Sequence, residues 1–170
     1  SFWYMSLPTL PHRKSLDYKN HPSSDALAIR HAVKLCKERG IKTELVLWQV
    51  PLWMNGGKTY PDFNKMPPDD QAIYDMVKAT VQWFGEDVDY YAIFHEANHP
   101  KYWEGTWDEL MKLFILPAAR AIRDYEKETG DIKVVSTAGL SPSRDCKKWY
   151  NVQLESAELM GLIDNFALNL

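Results

Sequence analysis

The chain has 170 residues, with 20 basic and 23 acidic side chains, a formal net charge of −3 and 45% hydrophobic residues. That composition is globular, and without a basic excess it excludes a phosphate-neutralising surface, so no nucleic-acid partner is expected. No run of 18 apolar residues exists to span a membrane, and Cys36 and Cys146 have neither the number for a disulfide scaffold nor metal-ligand spacing.

In chain order, residues 2–7 are an apolar run ended by Pro8 and predict a short strand. Residues 11–24 are polar and predict a loop. Ser24 and Asp25 offer an N-cap, and Ala26, Leu27, Ile29, Ala32, Val33 and Cys36 recur at helical spacing up to a stop at Gly40. The run 43–50 predicts a buried strand closed by Pro51, and the Pro- and Gly-rich stretch 51–68 a long loop. A second helix begins at Asp69 or Asp70, with Ile73, Met76, Val77, Thr80, Val81 and Phe84 on one face. Residues 88–94 predict a strand and 95–106 a loop rich in His, Pro, Tyr and Trp. A single long helix is predicted from Thr106 to Thr129, stopped by Gly130. Strand 132–137, loop 138–145, a helix near 147–160 stopped by Gly161 and a closing strand over 162–170 complete the pattern.

Strand and helix alternate throughout, with long aromatic loops after the strands and short Gly-bearing returns after the helices. Such alternation predicts parallel βαβ units whose functional face lies at the strand C-termini. No Gly-x-Gly-x-x-Gly follows a strand, so no dinucleotide cofactor is expected. The fold class expected is α/β, a TIM-barrel-like (β/α)8 arrangement in one domain over 1–170. Five strands are about five-eighths of a barrel, which takes ~250 residues. The count therefore calls for a further chain or segment to complete it.

The sharpest local signal is His95-Glu96-Ala97-Asn98-His99. As H-E-x-x-H on a helix, His95 and His99 would share one face and bind zinc, with Glu96 as general base. A third ligand would come from Glu104, Asp108 or Glu109. Two features oppose that reading: Pro100 disfavours helical geometry at His99, and Val88 to Phe94 favour a strand. The preferred expectation is therefore no metal. If 88–94 is a strand, Glu96 stands at its C-terminal end among Phe94, His95, Tyr102 and Trp103. Desolvation there would suit a general acid.

The segment Tyr90–Gly105, with its Phe-His-Glu-Ala-Asn-His-Pro core, resembles the region around the acid/base glutamate of the clan A glycoside hydrolases. Leu45–Gly57, with Pro51-Leu52-Trp53, is similar to their third strand and its loop. Ile132–Gly139 resembles their fifth strand and Ile163–Phe166 the start of their sixth. The resemblance implies a retaining (β/α)8-barrel hydrolase of a β-linked oligo- or polysaccharide, spanning roughly the second to sixth strands. It implies Glu96 as acid/base and His95, Trp48, Trp53, Trp103 and Asn169 as substrate-binding positions. Asn169 falls near a histidine position of the family's sixth strand. The family's Asn-Glu-Pro-Asn reads His95-Glu96-Ala97-Asn98 here, and its seventh-strand nucleophile has no counterpart in the chain.

Three alternatives stay open: a non-catalytic carbohydrate-binding barrel segment, the zinc hydrolase, and purely structural roles for the same residues. Glu96 can serve as a salt-bridge carboxylate. Trp48 can be core, and Trp53 and Trp103 can anchor loops rather than stack on sugar rings.

Overall fold

The computed structural model describes residues 16–48, 50, 67, 69–137, 139–142 and 145–166, together with the backbone of 2–6; of Trp48 the backbone alone is described. Five strands form one sheet: β1 (Phe2–Ser6), β2 (Glu44–Trp48), β3 (Tyr90–Ile93), β4 (Val134–Thr137) and β5 (Asn165–Phe166). Their order is β1-β2-β3-β4-β5 and every pairing is parallel. Each strand therefore lies beside its predecessor in the chain, and the connections are helical: α1 (Ser24–Glu38), α2 (Asp70–Phe84), α3 (Trp107–Leu110) with α4 (Leu116–Thr129), and α5 (Cys146–Glu155) with α6 (Ala157–Met160). The alternation of strands and helices read from the sequence is this architecture.

The caps explain the helix boundaries. Ser23, one residue earlier than expected, caps α1 by accepting the Ala26 N–H at 3.1 Å. Asp69 does the same for α2 through Ala72 N–H at 2.8 Å. Gly130 ends α4 in the left-handed region (φ 74°), its N–H returning to the Glu126 carbonyl at 2.8 Å.

Two helices differ from expectation. The helix over 106–129 is not uniform: Met111–Ile115 is a π turn, and the Leu116 N–H reaches back five residues to the Met111 carbonyl. Pro117 explains it, since proline cannot donate to Leu113 and its ring crowds that carbonyl; widening the preceding turn makes room. The helix over 147–160 breaks at Ser156, whose hydroxyl instead caps α6 by accepting the Leu159 N–H at 3.2 Å. Strand edges also shorten. Phe94, read as strand, leaves it with φ 74°, and the part of the closing strand beyond Phe166 lies outside the described residues.

Alternate strand residues face opposite sides of the sheet. Leu45, Leu47, Tyr91, Ile93 and Val135 are fully buried in the core with α2 and α4. Ile73, Met76, Val77 and Val81 of α2 and Ala118, Ala121 and Ile122 of α4 face them; the alanines let the helix approach closely. Each fully buried large side chain contributes about 1.5–3 kcal/mol. The other sheet face carries a row in register, Val46, Ala92 and Ser136. Below it, Glu44 reaches across β3 so that its Oε1 lies 3.3 Å from Ser136 Oγ. Ala92 is short enough to let that contact pass over it.

The N-terminal end of the sheet is locked by buried polar pairs. Lys133 donates from Nζ to the Gly85 carbonyl at 2.8 Å and pairs with Asp131 at 2.6 Å, and Tyr125 donates to Asp131 at 2.8 Å. This is the stability end of such a sheet; chemistry collects at the opposite edge.

Candidate functional site at the C-terminal end of the third strand

The regular β3–β4 ladder ends at the Ile93–Thr137 rung. The chain then turns sharply, with Phe94 at φ 74° and Glu96 at φ 46°. Both values are left-handed, and for side chains of this size each costs on the order of 1–3 kcal/mol. Surrounding contacts hold them. Phe94 N–H donates to the Leu47 carbonyl at 2.8 Å. Its ring is buried and meets Phe114 and Trp103 edge-on, at centroid distances of 4.9 and 5.8 Å. Glu96 N–H donates to the Gly139 carbonyl at 3.0 Å, and the Glu96 carbonyl accepts the His99 N–H at 2.8 Å.

Beyond Glu96, the Asn98 carboxamide grips the peptide groups of Ser141 from both sides. Ser141 N–H donates to Asn98 Oδ1 and Asn98 Nδ2 donates to the Ser141 carbonyl, each at 2.8 Å. The Glu96–Gly139 and Asn98–Ser141 contacts thus carry the β3–β4 pairing into the loops after both strands. Leu140 N–H adds a 3.3 Å contact to the Tyr150 hydroxyl of α5.

The side chains of His95 and Glu96 are 20% and 24% exposed, with Nε2 and Oε2 3.9 Å apart. That separation exceeds hydrogen-bond length, so the contact is electrostatic. Burial pushes the His95 imidazole below its usual range and the Glu96 carboxylate only partly opposes the push. His95 is thus neutral near pH 7, one ring nitrogen being a donor and the other an acceptor. The pair presents a partly desolvated carboxyl beside a neutral imidazole, a set suited to proton transfer and to recognition of hydroxyl groups.

Of the residues singled out by sequence, Glu96, His95 and Trp103 come together in this loop. Trp103 is 3% exposed, and its indole N–H donates to the Thr106 carbonyl at 3.0 Å. With its edge contact to Phe94, that makes Trp103 the anchor of the loop, and no open ring face is left for a sugar to stack on. The backbone of Trp48 closes β2. Trp53 and Asn169 lie outside the described residues.

The helix that the zinc reading requires is not formed. Residues 94–102 are bends and turns, and α3 begins only at Trp107. His99 Nδ1 accepts the Lys101 N–H at 3.1 Å. The His95 and His99 rings each approach Tyr102, at 5.7 and 5.6 Å between centroids. Among the proposed third ligands, Glu109 is committed to a capping box with Thr106. Among the described residues, no group of three or more His, Cys, Asp and Glu side chains is placed to hold a metal ion.

Sequence reasoning passed over Asn98. The available signal was its place two residues after Glu96, matching the last Asn of Asn-Glu-Pro-Asn; its Ser141 partner, 43 residues away, is visible only in the fold. A cavity of about 630 Å³ between α3–α4 and α5–α6 is lined by residues such as Trp107, Met111, Arg120 and Glu158, and none of its lining residues belongs to the 94–103 loop. It is separate from the carboxyl.

No family model matches the chain, and no curated protein matches it.

Proposed function

We propose that the chain is part of a (β/α)8-barrel glycoside hydrolase acting with retention on a β-linked oligo- or polysaccharide. Glu96 is its general acid/base, and the nucleophile is supplied from outside these 170 residues. The observation that carries this reading is the placement of Glu96. It stands three residues beyond β3, at the C-terminal edge of a parallel sheet, on a left-handed backbone, with its carboxyl three-quarters buried beside His95. Strained residues at such an edge are a recurring mark of catalytic positions.

The strand order supports the barrel. A parallel sheet wound 1-2-3-4-5 has no reversal of direction, and right-handed crossovers put all its helices on one side. Sheets of that kind close into barrels, whereas doubly wound sheets reverse at a switch point. In the reaction, Glu96 would protonate the glycosidic oxygen as the bond breaks. It would then take a proton from the water that releases the glycosyl-enzyme intermediate. The two carboxyls of a retaining pair stand about 5–5.5 Å apart, so the nucleophile would belong on a strand end that faces Glu96 across the mouth.

The test is Glu96→Gln in the polypeptide that supplies the nucleophile. Aryl glycosides with poor leaving groups should slow by a factor of about 10²–10⁴. Those with good leaving groups should slow much less, because they need little protonation. Equal slowing across both classes would remove the acid/base role.

A further inference from the structure

We propose that Asn98 is the positioning residue for Glu96, holding the carboxyl by fastening the loop after β3 to the loop after β4. The inference rests on the reading of Glu96 as acid/base. The argument starts from cost. Phe94 and Glu96 both occupy left-handed backbone, which relaxes unless neighbouring contacts over-determine it. On the N-terminal side, the Phe94 ring and its amide are pinned in the core. On the C-terminal side, Ala97 is buried but carries no polar side-chain atom, and the next fixed point is Asn98.

The Asn98 contact has the form of a peptide–peptide pair. Its carboxamide presents one donor and one acceptor in the plane that a backbone amide would use, and Ser141 fills both at 2.8 Å. Two bonds in one plane fix orientation as well as distance. Glu96 therefore lies between two anchors, Phe94 and Asn98, four residues apart, and its own N–H is tied to Gly139, two residues before Ser141. Loss of the Asn98 clamp weakens the hold on the C-terminal side of the turn, and the stored strain then favours relaxation of Glu96 toward ordinary backbone geometry. A displacement of the carboxyl by about 1 Å is enough to cost on the order of 10²-fold in rate.

The test compares Asn98→Ala, which removes both bonds, with Asn98→Asp, which keeps the acceptor for Ser141 N–H and loses the donor. In the 170-residue chain, the intraresidue nuclear Overhauser effect between the Glu96 amide and Hα protons is strongest at positive φ and so reports the turn; it should weaken in Asn98→Ala and fall between parent and alanine variant in Asn98→Asp. In the polypeptide that supplies the nucleophile, Asn98→Ala should lower kcat for poor leaving groups on the order of 10²-fold with KM little changed. Good leaving groups should suffer far less, and Asn98→Asp should recover part of the loss. An unchanged intraresidue effect at Glu96, with faster exchange of the Ser141 amide, would overturn the proposal and leave Asn98 as a loop staple. Should Asn98→Ala fail to fold, the same comparison between parent and Asn98→Asp decides. The two readings fail separately: a Glu96→Gln variant with undiminished activity removes the acid/base role, whereas an undisturbed Glu96 backbone in Asn98→Ala removes only the positioning role.

Discussion

Trp103→Ala separates the two roles a loop tryptophan can have at such a site. The ring is 3% exposed, meets Phe94 edge-on at 5.8 Å and donates its indole N–H to the Thr106 carbonyl at 3.0 Å. Truncation removes a buried aromatic and leaves a cavity, a change that costs about 3–5 kcal/mol. The Thr106 carbonyl keeps the Leu110 N–H it accepts at 3.0 Å, so loss of the indole hydrogen bond adds little to that figure. For a chain of this size each kcal/mol lowers Tm by roughly 2–4 °C, so the expected fall is about 6–20 °C. Trp103→Phe keeps most of the ring area and should cost clearly less. The assay is urea unfolding followed by fluorescence and by circular dichroism, with a fall in midpoint at unchanged slope. The reasoning fails if Trp103→Ala stays within about 1 kcal/mol of the parent while binding of an oligosaccharide collapses; that outcome would make the ring a sugar platform.

How much of this was legible beforehand depends on the range of the interaction. Strand and helix identity follows from residues close in sequence. The apolar face of α2, with Ile73, Met76, Val77, Val81 and Phe84, is readable because one helix face is one periodic pattern. Ser23 and Asp69 are ordinary capping residues beside such patterns. The π turn is half legible: Pro117 announces a defect, but whether the helix kinks, stops or widens depends on its packing against α2. Glu96 stood out in the sequence through the His95–His99 pattern and its place after a predicted strand. The left-handed backbone at Phe94 and Glu96 was not legible, since neither residue type signals it; the strain is held by contacts to Leu47 on β2 and to Gly139 in the loop after β4. Trp103 shows the same limit in reverse. An aromatic in a loop beside a carboxylate has two readings, and only the position of Phe94 and Phe114 beneath it shows that the ring points inward.

Two further outcomes test the supports of the sheet. Asp164 Oδ2 accepts the Val135 N–H at 2.7 Å and the Arg123 Nη2–H at 2.8 Å, and so fastens the start of β5 to β4. Asp164→Ala should cost about 1–3 kcal/mol and speed exchange of the Val135 amide; unchanged protection there would refute the assigned clamp. The second outcome concerns Glu44, whose carboxyl is held above the usual range by burial, with the Ser136 hydroxyl partly offsetting the push. The sign follows from linkage. A carboxyl that binds its proton more tightly in the folded state adds stability at pH values below its unfolded value near 4.5, and that stability is lost as pH rises through the folded value. Glu44→Gln carries no such titration, so relative to the parent it should gain stability between pH 4 and pH 7, read as diverging urea midpoints. Glutamine can still meet Ser136 through its amide, so the low-pH stabilities should stay close. Parallel midpoints across that range would mean that water reaches the carboxyl freely, and would refute the burial assigned to it.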